Sequence, residues 1–238
     1  MLDRRPPMTL PENSSILLDL NEEEWCRFLG EIAHKMKNQI GGIHGFCSLL
    51  EKDLEDHDTD RRLAVKAQEG ILQLNSLLTL FMKIFHRVEP QPGTVDLAAL
   101  LKETLHRFAR REAGERAPVL IAPERPLKAR LDPEWLREWT WQALIFTSGV
   151  SQKTETLRLE ELDGGRFQIG LEFVLARDVH PVNRAERISE LLLNAEPFEL
   201  RLSLAIAARY SRLLGGRLEY GAPAQTRRIL TLHLNQGR

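Results

Sequence analysis

Cysteine is scarce in this 238-residue chain: there are two, Cys26 and Cys47. Two cannot build a disulfide framework, and on one helix they stand roughly 30 Å apart, too far to pair within a chain. A reducing cytoplasm is the expected compartment. No CxxC or HExxH spacing occurs, so no metal site is expected. An excess of charge is missing too. Lys and Arg total 33 against 34 Asp and Glu, which leaves no global field to draw nucleic acid or an anionic membrane surface. No apolar run approaches the roughly 18 residues of a membrane span. Residues 1–20, beginning MLDRRPPMTLPENSS, lack the apolar core of a signal peptide and read as a poorly ordered lead-in. Internal repeats and low-complexity tracts are absent. What is left has the length of one large or two ordinary domains with ample core.

The chain is organised around FLGEIAHKMKNQIGGIHGFCSLLEKDL, residues 28–54. Its apolar residues Leu29, Ile32, Met36, Ile40, Ile43, Cys47, Leu50 and Leu54 recur in steps of three and four, which draws one stripe down a helix. His34 lies about 200° around the wheel from both Ile32 and Met36 at 100° per residue. Lys37 and Asn38 follow at i+3 and i+4 and share its face. A histidine alone on a helix reads as a solvated side chain. Here it is held out of the stripe beside a cation and an amide, and Gly41, Gly42 and Gly45 keep the surface beyond it low and open.

In chain order, Asn21-Glu22-Glu23-Glu24 forms a capping-box start, and the first helix is expected over residues 22–56. His57-Asp58-Thr59-Asp60 is expected to turn, with Asp60 capping a second helix over 61–87. Its apolar positions are Leu63, Ala67, Ile71, Leu74, Leu77 or Leu78, Phe81, and Ile84 or Phe85. A hairpin of two amphipathic helices leaves its stripes half covered, so a second copy is expected to complete a dimeric four-helix bundle. Glu89-Pro90-Gln91-Pro92-Gly93 breaks the helix and separates residues 21–88 from a second unit at 94–238. There, Thr94 or Asp96 caps a helix, residues 119–122 read as a strand, and Asp132-Pro133 opens a helix carrying Trp135, Trp139 and Trp141. Residues 157–162, 167–175 and 229–234 read as strands, the first two joined at Asp163-Gly164-Gly165. A helix over 202–214 ends at Gly215-Gly216. This order predicts an α+β fold: a helical hairpin followed by a two-layer α/β sandwich with helices on one face of a sheet. The tryptophans read as packing, His44 and His86 as partner or surface groups, and Arg110-Arg111 and Arg227-Arg228 as solvated faces.

The His34-x-x-x-Asn38 pattern, followed by Gly41-Gly42-Ile43-His44-Gly45-Phe46, resembles the phospho-acceptor box of the sensor histidine kinases. The Val95-Asp96-Leu97 entry and the tail LAIAARYSRLLGGRLE, residues 204–219, resemble parts of the same family's ATP-binding domain. The resemblance spans nearly the whole chain, and it departs from the family directly after the histidine, where an acid is usual and Lys35 stands here.

The resemblance also implies three nucleotide-binding places, and the residues at all three are wrong for the task. The magnesium-binding asparagine is matched by Phe146, whose ring offers a hard cation no oxygen. Glycines that let backbone N–H groups wrap the phosphates are matched by Arg201 and Ser203. Asp178 is available to read adenine, but Val179-His180-Pro181-Val182 supplies no glycine after it. No cofactor is therefore expected, ATP binding being lost. The family resemblance then implies a histidine phosphotransfer protein, exchanging a phosphoryl group between His34 and the aspartate of a response-regulator receiver domain. Lys37 would neutralise charge on the transferring group, Lys35 removes the acid expected to orient the histidine, and Glu31 is placed to substitute for it. Gly41, Gly42 and Gly45 would admit the partner. Expected partners are a receiver domain, a second copy of the chain and a sensor kinase. Two alternatives stand beside this: a catalytically silent pseudokinase that binds a kinase or regulator, and a phosphatase in which Asn38 holds the attacking water.

Overall fold

A computed structural model describes residues 22–52, 57–85, 89–113, 118–175, 188–221 and 227–235. Two long helices, α1 (Glu22–Lys52) and α2 (His57–Phe85), form the hairpin. They are antiparallel, with Gly70 of α2 so close to Ile43 of α1 that a Cβ there would lie 3.0 Å from it. The expected turn at His57–Asp60 is a correction: these residues form the first turn of α2. The connection lies in 53–56, outside the described residues, as do the expected lead-in and the side chains of Leu29, Leu50 and Leu54.

The apolar stripes of the hairpin divide into two zones. Phe28, Ile32, Leu77 and Ile84 are buried against the second domain. Farther along, Ile40, Ile71 and Leu72 are 54%, 52% and 65% exposed. Among the described stripe residues, burial is concentrated at the end where the chain's own second domain rests, with Ala67 buried farther along α2.

That domain starts with β1 (Gly93–Asp96) and α3 (Leu97–Phe108), followed by a π-helical turn at Ala109–Ala113. Asp96 caps α3, its carboxylate accepting from the Ala99 N–H at 3.2 Å. Then come β2 (Val119–Ile121), β3 (Lys128–Leu131), α4 (Pro133–Val150), β4 (Ser151–Leu162) and β5 (Arg166–Leu175). Asp132 caps α4 by accepting the Glu134 and Trp135 N–H groups at 2.9 and 3.2 Å, and Pro133 occupies the first turn, where no N–H is needed. The chain closes with α5 (Ile188–Asn194), α6 (Phe198–Leu213), β6 (Arg217–Gly221) and β7 (Arg227–Asn235).

Strands β2-β4-β5-β7-β6 make a five-stranded mixed sheet, in which only the β2–β4 pair is parallel. A separate antiparallel pair joins β1 to β3. Alternation sets the faces. Leu157 and Leu159, Phe167 through Phe173 at every second position, and Leu230, Leu232 and Leu234 point into the core under α4 and α6. Their neighbours Arg158, Glu172 and His233 face outward, with Arg158–Glu172 and His233–Glu219 pairs at 3.2 and 3.0 Å. The α+β architecture matches the sequence expectation. Strands β1 and β3 are additions to it, because each is four residues long and too short to show a period of its own.

Glycine closes two elements. Gly164 and Gly165 turn the β4–β5 hairpin at φ of +77° and +72°, a region L side chains rarely enter. Gly215, at φ +71°, ends α6, and its N–H and that of Gly216 bond the Arg212 and Ser211 carbonyls at 2.8 Å as helix C-caps do. Arg228 is a correction: it is buried, while Arg227, Arg110 and Arg111 are exposed as expected.

Candidate functional site

His34 sits exposed on α1, between buried Ile32 and half-buried Met36. The expected polar face is there: Lys37 and Asn38 are exposed, and so is Lys35 beside it. Asn38 Nδ2 is 3.3 Å from His34 Nε2. With the imidazole proton on Nδ1, Nε2 carries a lone pair and accepts from this amide; that bond fixes the ring's orientation at the i, i+4 spacing of one helix face. Positions 41, 42 and 45 have nothing within 4 Å of where a Cβ would stand, so the surface next to the imidazole is open to a large partner.

Two neighbours of His34 face another way. Glu31, expected as a substitute acid, is a correction: its carboxylate pairs with the Arg201 guanidinium of α6 rather than with the imidazole. Lys35 places its ammonium 5.6 Å from the centre of the Phe198 ring, a cation–π distance. Both residues belong to a seam that holds the second domain against the hairpin. In that seam Phe28 and Phe198 stack at 6.4 Å between centroids. Arg201, 7% exposed, also pairs with Glu196 and donates from Nε to the Ala195 carbonyl at 2.6 Å. A buried guanidinium needs such a full set of acceptors to offset its desolvation. At the other end of α6, Arg209 donates to the Lys83 carbonyl of α2, and the Lys83 ammonium meets Glu138 of α4 at 2.6 Å. Burial pulls the Arg209 guanidinium down from its ordinary value, and burial, with Glu138 adding to it, pushes the Tyr210 phenol up.

Two of the three places implied for a nucleotide lie in described residues, and neither has the donors or loop that the resemblance implies. Phe146 is 0% exposed, packed in the core on α4. Arg201 and Ser203 do not lie in a loop at all, because α6 begins at Phe198 and runs through both. Their backbone N–H groups are helix-bonded or under buried side chains, and cannot wrap phosphates. Asp178 and 179–182 lie outside the described residues. Among the described residues no cluster of three His, Cys, Asp or Glu side chains could hold a metal, and no helix is long and apolar enough to cross a membrane.

Phe198, Arg201 and Arg209 as seam residues are absent from the sequence reading. The signal was present: Arg201 and Arg209 interrupt the run LRLSLAIAARYS, residues 200–211, in a stretch that is otherwise largely apolar around its circumference, and such a helix is buried on all sides. Arginines there require partners from outside the helix.

Solved structures of histidine kinases resemble this chain over most of its length. The histidine kinase ThkA, solved in complex with response regulator protein TrrA, aligns over 92% of this chain and 68% of its own, with a TM-score of 0.64 and 13% identity. The Acinetobacter baumannii histidine kinase AdeS aligns over 86% of this chain and 98% of its own, with a TM-score of 0.57 and 12% identity. Full-length ShkA, in complex with AMPPNP, aligns over 87% of this chain and 45% of its own, at a TM-score of 0.52 and 18% identity. Among curated sequences, the sensor protein kinase PilS of Pseudomonas aeruginosa is 26% identical over 152 residues. The chain spans 27% of the length of that relative. No family model matches the chain. The fold is therefore that of the histidine kinases, a helical hairpin followed by a domain of the ATP-binding type. The protein is histidine kinase-like in this sense, with an exposed histidine on the first helix of its hairpin.

Proposed function

We propose that this chain is a histidine phosphotransfer protein of a two-component relay, acting through His34 without ATP-dependent autokinase activity. The observation that carries the reading is a contrast between two helices. His34 stands on an open face with Nε2 oriented by Asn38, whereas the place of a phosphate loop is a buried helix tied down by Arg201. The ThkA neighbour was solved with a response regulator, which supports a receiver domain as the partner.

In the proposed step the Asn38 amide moves off His34 Nε2, and the lone pair so freed attacks the phosphorus of a receiver's aspartyl phosphate. A P–N bond forms, the P–O bond to the aspartate breaks, and the carboxylate leaves with the electron pair. Neutral imidazole needs no base for the attack, since the Nδ1 proton stays in place and the ring carries the positive charge until it is lost to water. Lys37 offsets charge on the moving group. The exposed Ile40, Ile71 and Leu72 supply the apolar face for a second copy, so the active form is a homodimer with a four-helix core. Light scattering on purified protein at micromolar concentration should give twice the chain mass; a folded monomer overturns the dimer.

The test of function is incubation with receiver domains carrying radiolabelled aspartyl phosphate. Stable label on this chain supports transfer. A second reading rests on the same 3.3 Å contact: Asn38 beside His34 can hold a water for hydrolysis, in which case the label is released as free phosphate. No change in the labelled receiver would leave a binding module as the function.

A further inference from the structure

We infer that the groove between α2, α3 and α4 docks an acidic segment of a partner protein, one that bears carboxylates next to an apolar residue. The groove has a volume of about 950 Å³, is open to solvent, and takes its walls from both domains: Ser76, Thr79 and Lys83 of α2, Arg107 of α3, and Trp141 and Ile145 of α4. That volume is near the upper end for ligand cavities, and an open groove of this size suits several residues of chain better than one small molecule. None of its lining residues lies on α1, so docking here does not use the His34 face.

The charges of the wall select the partner. Most carboxylates in and beside the groove are already engaged: Glu138 holds Lys83 at 2.6 Å, Glu134 pairs with Arg137, and Glu103 is shared by Arg107 and Arg137 at 2.7 and 3.4 Å. Arg110 and Arg111 are exposed and make no ion pair with any described residue. Glu112 is the one lining carboxylate that stands beside them without a pair among the described residues, which leaves an excess of positive charge. Arg107, Arg110 and Arg111 follow an i, i+3, i+4 spacing, the last two in the π-helical turn Ala109–Ala113, and like charges so spaced repel. An incoming acidic segment relieves that repulsion, because guanidiniums take carboxylates in forked pairs of hydrogen bonds. Leu80, Trp141 and Ile145 make the apolar part of the wall, half-buried and packed on the core, with Trp141 edge-on to Phe108 at 5.3 Å. An apolar side chain of the partner is removed from water there. A small anion would meet the arginines and leave this part of the wall bare.

The probe is the fluorescein-tagged peptide Glu-Asp-Leu-Glu-Asp-Phe, titrated with the intact chain and followed by fluorescence anisotropy. Saturable binding is expected, together with a shift of the Trp141 indole signal in nitrogen–proton spectra, that signal being assigned by its loss in Trp141→Phe. Combining Arg110→Glu with Arg111→Glu should weaken binding at least about tenfold, because like charges then face each other across the interface. Both side chains are exposed, and circular dichroism should confirm an unchanged fold. The uncharged peptide Gln-Asn-Leu-Gln-Asn-Phe should bind at least about tenfold more weakly, and Glu-Asp-Ser-Glu-Asp-Ser at least about threefold more weakly, for want of its apolar contacts. The inference fails if the acidic peptide does not bind saturably up to millimolar concentration, or if the charge-reversed variant or the uncharged peptide binds as tightly. It fails equally if the Trp141 signal stays in place, or if inorganic pyrophosphate displaces the peptide at concentrations below the peptide's own dissociation constant, the groove then being a small-anion site.

Discussion

Helices α1 and α6 lie on opposite sides of one seam and have opposite characters. Around His34, α1 presents exposed polar side chains and three glycines with open space above them. Helix α6 is buried from Leu200 to Ser211 on every side. Under the proposed function these two regions are a phospho-acceptor and the neighbourhood of a nucleotide loop. The first keeps what group transfer requires, an accessible nucleophile with room for a partner. The second has traded backbone accessibility for packing. On that reading a domain keeps its sheet, its helices and its position against the hairpin while the features that bind a nucleotide are replaced, because the core needs only apolar residues of about the right volume.

The contrast is broken most completely at the histidine. His34→Gln keeps a side chain of similar reach on an exposed position, so the fold and partner docking should persist. Label transfer from a phosphorylated receiver should fall by at least about a thousandfold, as when a nucleophile is removed. Uptake of label by the variant would place the chemistry on another residue.

The next largest effect is expected inside the second domain. Phe146→Asn restores the residue type of the family at that place but puts an amide into a fully buried apolar site. It should destabilise the fold by about 3–5 kcal/mol through lost packing and an unsatisfied polar group. Mg-ATP affinity should still be absent by calorimetry, because α6 occupies the loop position. Recovered nucleotide binding would mean that Phe146 alone had closed the site.

A smaller effect is expected at the seam. Arg201→Ala removes a buried guanidinium and leaves Glu31 and Glu196 without it. Loss of a fully buried pair costs about 3–5 kcal/mol. Both carboxylates here are partly exposed and can rehydrate, so about 1–3 kcal/mol in thermal or urea unfolding is the expected cost. An unchanged melting profile would show that Arg201 does not fasten the two domains.

Lys35→Glu should act least. It returns an acid beside His34 and removes the ammonium over Phe198, a contact worth about 0.5–1 kcal/mol. Transfer should quicken by about threefold, a small fraction of what a well-placed general base achieves, and nucleotide binding should not return. A slower variant would assign Lys35 a supporting role in transfer.

How far the sequence carried depends on which residues are asked about. Period-3.6 spacing revealed both hairpin helices, and alternation revealed β4, β5 and β7, since each has enough length to show its period. Asp96, Asp132, Pro133 and Gly215 marked their helix ends through local hydrogen bonding that short-range sequence records. The exposed His34–Asn38 pair was legible for the same reason, both residues lying on one helix. The seam was not. Glu31 and Arg201 are 170 positions apart, and no spacing rule links them, so Glu31 was read as a neighbour of the histidine four residues from Lys35 rather than as a partner of α6. The four polar residues 57–60 were read as a turn because the same residue types serve turns and helix starts.

The most direct test of the account sets two phosphoryl donors side by side. Wild-type chain is incubated with Mg-ATP in one sample and with a panel of phosphorylated receiver domains in the other, and acid-labile phosphate is mapped by peptide mass. The account predicts label on His34 from at least one receiver and none from Mg-ATP. Label on His34 from Mg-ATP alone would contradict it, and so would the absence of label from every receiver tested.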